Sequence, residues 1–408
     1  MHRTMSEVLD FVRENDVKFV RLAFCDVFGV QKNISIMASE LERALETGIS
    51  FDASAIEGFG SAEKSDLFLF PDTSTLSILP WRPAHGRVIR FFCDIRYPDG
   101  SAFELDCRNL LKKTAAKVKK EGYSCRVGSE CEFYLFKTGE KGEPTNEPLD
   151  SGSYMDTAPI DKGENVRREI CLTLEEMGIS VESSHHEQGP GQNEIDIKYS
   201  DPLSSADNVI TYKFVVRTIA ERNGLHASFH PKPLKNCAGS GMHINMSLSK
   251  IGGSGMDKEL EGSFVAGILE HIEEITAFLN PTHESYERLG VFKAPKYITW
   301  SPENRSQLVR IPAAEGEYSR IEVRSPDCMA NPYIAYTLLL EAGLDGIKRG
   351  LTPPEPLQIN LYTAPESLLS ELRKLPDSLA EAMALAEKSE FVRGILNRRI
   401  IDAYKYRI

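Results

Sequence analysis

Strand-like segments of this chain alternate, residue by residue, between apolar side chains and chemically active ones. That alternation confines the fold to a sheet with one buried face and one charged face. In R-I-E-V-R, Arg320, Glu322 and Arg324 fall on one side and Ile321 and Val323 on the other. In M-H-I-N-M-S, Met242, Ile244 and Met246 form an apolar side opposite His243, Asn245 and Ser247. Glu130 and Glu132 flank Cys131 in the same manner, which assigns Cys131 to the core rather than to a nucleophilic site. Glu187 and Glu194 lie in H-H-E-Q-G-P-G-Q-N-E-I-D. Five glutamates and one histidine are thereby candidates for one common surface.

A sheet face bearing this many carboxylates repels itself unless cations neutralise it. Any one of these glutamates alone reads as an ion-paired or solvated strand residue; the joint pattern is what points to metal. Oxygen donors with a single imidazole suit Mg2+ or Mn2+, whereas zinc draws on more cysteine and histidine. Six ligands divide as three and three, which leaves positions on two ions for water and substrate. Arg305 and Arg310 in N-R-S-Q-L-V-R-I-P, with Arg320 and Arg324, supply forks for carboxylate and phosphate oxygens. For Arg310, simple pairing with a glutamate explains the pattern equally well. Metal with arginines is the equipment of phosphoryl transfer from a nucleotide. The sequence has no G-x-x-x-x-G-K-[ST], and Gly239-Ser240-Gly241 lacks the third glycine of the dinucleotide fingerprint, so any ATP binds by another architecture. His185 and His186 point to opposite faces of an extended segment, so at least one of them is packed.

At 408 residues the chain exceeds one typical domain, and two are expected. The turn Tyr97-Pro98-Asp99-Gly100 precedes a lysine-rich amphipathic helix over 106–121, whose Lys112 to Lys120 cluster reads as a solvated face. This places the boundary between a domain of 1–102 and one of 103–408. Short strands are expected over 17–36 and 67–98, with a helix over 38–47 ended by Gly48. Beyond 123, strands alternate with helices near 163–177, 203–223, 261–279 and 329–348, while 137–150 and 251–258 read as loops. A net charge of −12 argues against a nucleic-acid binder. No apolar run reaches the roughly 20 residues of a membrane span, and the first residues lack a signal-peptide core. Eight cysteines without a C-x-x-C pair read as reduced thiols. The expectation is a cytoplasmic protein with no membrane partner.

These motifs resemble the glutamine synthetase family, most closely its class I type. The resemblance runs from about residue 17 to 404 through F-D-A-S-A-I, S-D-L-F-L-F-P-D, E-C-E-F, H-H-E-Q-G-P-G-Q-N-E-I-D, H-P-K-P, G-S-G-M-H, N-R-S-Q-L-V-R-I-P and R-I-E-V-R-S-P-D. It implies an α+β fold: an N-terminal β-grasp domain and a catalytic domain whose antiparallel strands line a funnel flanked by helices. It also implies a homo-oligomeric ring, hexameric or dodecameric, with each site shared between neighbouring subunits. By resemblance, Glu132, Glu187 and Glu194 hold one divalent ion and Glu130, His243 and Glu322 another. Gly239, Arg288, Arg324 and Tyr154 match positions around the glutamate substrate; Arg305, Arg310 and Arg320, with Asn245 and Ser247, match the nucleotide side. Asp52 matches the aspartate that binds and deprotonates ammonium. The implied reaction is phosphorylation of the glutamate γ-carboxylate by ATP, then displacement of phosphate by ammonia or another amine, with Arg310 and Arg324 stabilising the transferred group.

Departures from the family pattern cluster at the amine pocket. The flap segment R-L-G-V-F-K-A-P is one residue shorter than usual, and Lys293 stands where a glutamate closes the site. A cation beside an ammonium site weakens ammonium binding and removes a base. Ala55 replaces a serine near the same pocket, and Ala238 an asparagine that helps hold glutamate. Two alternatives follow: a γ-glutamyl ligase acting on a larger amine or a different acid, and a non-catalytic ring protein, which the full set of metal ligands argues against. The chain stops at Tyr404-Lys405-Tyr406-Arg407-Ile408, where class I members usually carry a ring-tying extension, giving the expectation of a weaker ring-to-ring contact. Tyr362 sits where some relatives carry an adenylylated tyrosine, and a structural role is the expectation for it.

Overall fold

A computed structural model describes residues 3–60 and 65–407; Ile408, the last residue of the expected truncated end, lies outside them. The N-terminal part opens with α1 (Met5–Glu14), β1 (Val17–Cys25) and β2 (Gln31–Met37). It continues through α2 (Leu41–Thr47), β3 (Ile49–Asp52), β4 (Asp66–Pro71), β5 (Ser77–Ile78) and β6 (Arg87–Arg96). Its sheet runs β2-β1-β6-β4-β3, with β5 on β6, and β1 and β6 are parallel. A mixed sheet with one short crossing helix is the β-grasp build expected from the sequence. Gly48 ends α2 at φ +75°, a conformation open to glycine and poorly tolerated by other residues.

The second part begins with α3 (Cys107–Lys120) and contains the long strand β7 (Tyr123–Thr138). After β8 (Pro144–Pro148) and α4 (Glu164–Glu176) come β9 (Val181–His186), β10 (Gln192–Ile197), α5 (Pro202–Arg222) and β11 (Leu225–Ser228). Then follow β12 (Met242–Lys250), α6 (Lys258–Leu279), α7 (His283–Arg288), β13 (Trp300–Pro302), β14 (Val309–Ile311), β15 (Ile321–Val323) and α8 (Pro332–Arg349). Four short helices, α9 (Glu366–Leu369) to α12 (Arg398–Lys405), close the chain. The expected helices stand within three residues of their limits because their caps are local. Asp106, Asp201 and Asn331 accept from the first N–H groups of α3, α5 and α8, and Pro202 and Pro332 begin the last two.

Two expectations are corrected. Residues 137–150 are not simply a loop, because β8 pairs with the end of β7; its prolines and polar residues hid an edge strand. The funnel sheet, ordered β13-β14-β15-β12-β7-β10-β9, is antiparallel except for the parallel pair β13 and β14. The apolar face of this sheet rests on helices. Tyr212 of α5 donates to the Cys131 carbonyl at 2.9 Å, and Tyr336 of α8 bonds Ser129 Oγ at 2.6 Å, so β7 is fixed from behind. Helices α6 and α8 cross closely, since a Cβ on Gly267 would lie 2.1 Å from the Ala342 carbonyl.

The two parts are tied by charge. Arg108 at the start of α3 reaches Asp207 of α5 (Nε 3.0 Å, Nη2 2.8 Å), Asp72 after β4 (3.0 Å) and Asp94 of β6 (3.1 Å). Lys112 joins Asp94 at 3.0 Å and Lys117 pairs with Glu341, while Lys113, Lys119 and Lys120 form the solvated face expected of this helix. The Val27 carbonyl accepts from Asn331 at 3.0 Å.

A candidate active site on the funnel sheet

Strand register, not sequence proximity, assembles the charged face. Along β7, Gly128, Glu130 and Glu132 project to one side, and each heads a row running across the sheet. The first row passes from Arg310 through Glu322 and Asn245 to Gly128. The second holds His243, Glu130, Asp196 and Ser183, and the third Glu132, Glu194 and His185. Directly opposed residues share a face, so the register collects on one surface four of the five glutamates and the histidine singled out in the sequence. Glu187 joins from the turn after β9.

Two groups of donor atoms converge, each within 4.8 Å: Glu130, His243 and Glu322, and His185, Glu187 and Glu194. The first is the expected triad. In the second, His185 stands where Glu132 was expected, although Glu132 faces the same cavity. Its Oε2 accepts from Gly241 N at 2.8 Å and from Gln192 Nε2 at 3.2 Å. His185 Nε2 lies 3.1 Å from Glu187 Oε1. His186 is the packed histidine of the pair, fully buried with Nε2 2.9 Å from Asp150. Asp196 was missed, yet it lies two residues from Glu194 and so falls on the same strand face.

The electrostatics favour cations. Burial, then the neighbouring Asp196, Glu132 and Glu130, push the Glu194 carboxyl well above its ordinary range. Burial raises Glu132 and Asp196 as well. At Glu130 burial is outweighed by the His243 hydrogen bond and charge, which hold it at about 2. Glu322 has no exposed surface, and its burial is outweighed only by Arg324, His243 and Arg310 acting together, which hold its carboxyl below the ordinary range. Its Oε1 takes Arg324 Nη1 at 2.6 Å, and its Oε2 takes Arg310 Nε. Arg310 therefore makes the glutamate pairing that the sequence allowed, through Nε, and it also lines the cavity.

A cavity of about 450 Å³ over this face is lined by Glu130, Glu132, His185, Glu187, Glu194, Asp196, His243 and Arg310 together with Tyr154, Gly239, Arg288, Lys293, Arg305, Arg320 and Arg324. Arg288 is buried, and its Nη1 donates to the Ser325 carbonyl at 2.7 Å and its Nη2 to the Arg324 carbonyl at 3.3 Å. The G-S-G turn presses on it: a Cβ on Gly239 would meet Arg288 Cγ at 2.8 Å, and one on Gly241 would meet Arg288 Nη2 at 2.5 Å. An adjoining groove of about 160 Å³ shares Glu130, Ser183, Asp196 and Arg320 and adds Asn245, Ser247, Tyr199 and Tyr318. Asn245 links the two, donating to Glu130 at 2.8 Å and accepting from Arg320 Nε at 3.0 Å. Asp52 is not brought into the cavity of its own chain; its carboxylate takes the N–H and O–H of Ser54. Tyr362 was expected to be structural. Its hydroxyl lies 2.7 Å from the Lys293 carbonyl and 2.8 Å from that of Arg305, fastening two segments of the cavity wall.

A β-grasp-type mixed sheet joined to a largely antiparallel sheet that carries two carboxylate–imidazole clusters among arginines defines a two-domain α+β protein with a candidate metal centre. Comparison with known proteins narrows this. Residues 16–98 match the glutamine synthetase β-grasp domain and residues 104–406 the glutamine synthetase catalytic domain. The chain is 45% identical over 412 residues to the glutamine synthetase of Clostridium saccharobutylicum, covering 98% of this chain and 93% of that one. It is 45% identical over the same length to that of Methanosarcina mazei, covering 98% and 92%. A solved structure of a GmaS–ADP complex superposes with a TM-score of 0.89 at 30% identity, covering 98% of this chain and 95% of that one. The chain belongs to the glutamine synthetase family. Among the described residues, no helix is long and apolar enough to cross a membrane.

Proposed function

We propose that the chain is an ATP-dependent glutamate–amine ligase that forms γ-glutamyl phosphate and then an amide, glutamine when ammonia is the acceptor. The observation that carries this reading is the convergence of two donor groups beneath a rim of arginines, in a family whose named relatives are glutamine synthetases. The buried, mutually repelling carboxylates fit divalent cations, and the oxygen-rich donor set favours Mg2+ or Mn2+. Glu130, His243 and Glu322 would hold one ion; Glu132, Glu187 and Glu194, joined by His185, would hold the other. Ions held there would supply charge to neutralise phosphoryl oxygens and polarise the transferred group.

The remaining work belongs to the chain. Arg288, rigid against two carbonyls and the G-S-G turn, receives the glutamate carboxylate with Gly239 and Tyr154. Arg305, Arg310 and Arg320 face the phosphates, and Arg310 and Arg324 stabilise the group in transit. The groove of Asn245, Ser247, Tyr199 and Tyr318 suits the nucleoside, and a similar solved structure is that of a GmaS–ADP complex. Asp52, outside its own chain's cavity, serves a neighbouring subunit in a homo-oligomeric ring. The domain boundary falls between residues 102 and 103, and the compartment is the cytoplasm.

Purified protein given Mg2+, ATP and glutamate is expected to release ADP on addition of ammonium, and hydroxylamine is expected to trap γ-glutamyl hydroxamate. If neither ADP nor hydroxamate forms, the reading is wrong. Cation binding also predicts stability: free Mg2+ at 100 times its Kd adds about 2.7 kcal/mol per site, because the folded state alone offers the clusters. A melting temperature unchanged between EDTA and saturating Mg2+ or Mn2+ would exclude ion binding here.

A further inference from the structure

Lys293 is a cation on the cavity wall without an assigned partner. Its carbonyl accepts from Tyr362, so the root of the side chain is anchored. Its Nζ stands over the Tyr154 ring, 5.5 Å from the centroid, and that ring packs edge-on against His185 at the same spacing. Lys293 therefore belongs to the wall beside the His185, Glu187 and Glu194 group. None of the cavity's ion pairs among the described residues includes it. Of the carboxylates lining the cavity, Glu130 pairs with His243, Glu187 with His185, and Glu132 accepts from Gly241 and Gln192, while Glu194 and Asp196 share the lining without a cationic ion-pair partner among the described residues.

A wall of this charge discriminates among acceptor amines by what they carry at their other end. A second ammonium meets like charge, whereas an anionic group finds a lysine within reach and exchanges hydration for a charge-assisted bond. We propose that this site takes as acceptor an amine bearing an anionic group, an amino-carboxylate, and that Lys293 selects it. The inference rests on the ligase reading given above. In the step itself, the amine nitrogen forms a bond to the γ-carbonyl carbon of γ-glutamyl phosphate. The bond from that carbon to the phosphate oxygen breaks, phosphate leaves with the electron pair, and the surplus amine proton passes to it. The products are a γ-glutamyl amino acid and phosphate.

The test compares three acceptors of similar length, β-alanine, n-butylamine and 1,3-diaminopropane, with Mg2+, ATP and glutamate, and reads kcat/KM for amide formation. The wild-type protein is expected to favour β-alanine over n-butylamine by on the order of tenfold, the scale of one hydrogen bond to a charged group, and to use the diamine least. Lys293→Gln is expected to bring the ratio of β-alanine to n-butylamine close to one. Lys293→Glu is expected to invert the order in favour of the diamine. The ratio is the readout, so a general loss of rate does not imitate selection, and an unchanged oligomer size confirms folding. Hydroxylamine, small and uncharged, separates the two levels of the reading. No hydroxamate from wild-type protein removes the ligase reading and the inference together. Hydroxamate without a preference for β-alanine overturns the inference alone, as does a preference that survives in both Lys293 variants.

Discussion

Glu322→Gln is expected to lower kcat/KM for ADP release by on the order of 10³ or more, with a matching loss of metal affinity. The expectation rests on where this carboxylate stands. It has no exposed surface, lies 3.6 Å from His243, and is bonded by Arg324 on one oxygen and Arg310 on the other. Losing an outer partner of a metal ligand costs 10–100-fold, and losing one preorganised donor to a transition state costs about 10²–10³. Glu322 holds both positions, as proposed ligand and as anchor of two arginines. Gln keeps the shape and removes the charge, leaving both guanidiniums to repel each other and any ion beside them. Glu130→Gln, at the partly exposed end of the same cluster, should reproduce the loss with less risk to the core. Calorimetry with Mn2+ and steady-state kinetics check both variants; activity within tenfold of wild type in each would remove the cluster from the mechanism.

The parts of this site that the sequence discloses are those governed by a two-residue period within one strand. Glu130 with Glu132, and His243 with Asn245, share faces by local geometry alone, and so does Asp196 with Glu194, although that pair went unread. The register joining strands is different. His243 opposes Glu130 across 113 residues of chain, and nothing local dictates that pairing rather than a slip by two residues. The same register brings the N–H of Gly241 alongside β7, where it donates to one Glu132 oxygen. Helix limits were legible because capping residues act within a turn. The strand β8 was not, since proline and polar residues mark edge strands and loops alike. Tyr362 lies still further from local reading, because its hydroxyl meets two carbonyls on separate loops, one of them 69 residues away.

Arg108→Ala is expected to destabilise the protein by about 3–5 kcal/mol, the range found when one partner of a buried ion pair is removed. Arg108 was unremarkable in the sequence, the second residue of a lysine-rich helix, yet it is buried and touches three aspartates. Burial alone would weaken its charge, but Asp207 first, and then Tyr333 and Asp72, drive its pKa well above the ordinary arginine range. Truncation leaves three carboxylates facing one another. Lys112 relieves Asp94 at 3.0 Å, but it reaches Asp72 only at 4.0 Å, and Asp207 keeps only the Tyr333 hydroxyl at 2.7 Å. Asp72 and Asp94 come from the β-grasp part and Asp207 from the catalytic part, so the damage concentrates where the two halves meet. Chemical denaturation should therefore show an earlier midpoint, and limited proteolysis should release a fragment cut near residues 97–106 before the catalytic part is degraded. A variant within about 0.5 kcal/mol of wild type, the scatter of ordinary surface substitutions, would mean that apolar packing rather than this cluster joins the domains. Pairing Arg108→Met with Asp207→Asn should recover part of the loss, because neutralising both partners removes the stranded charge that makes the single change costly.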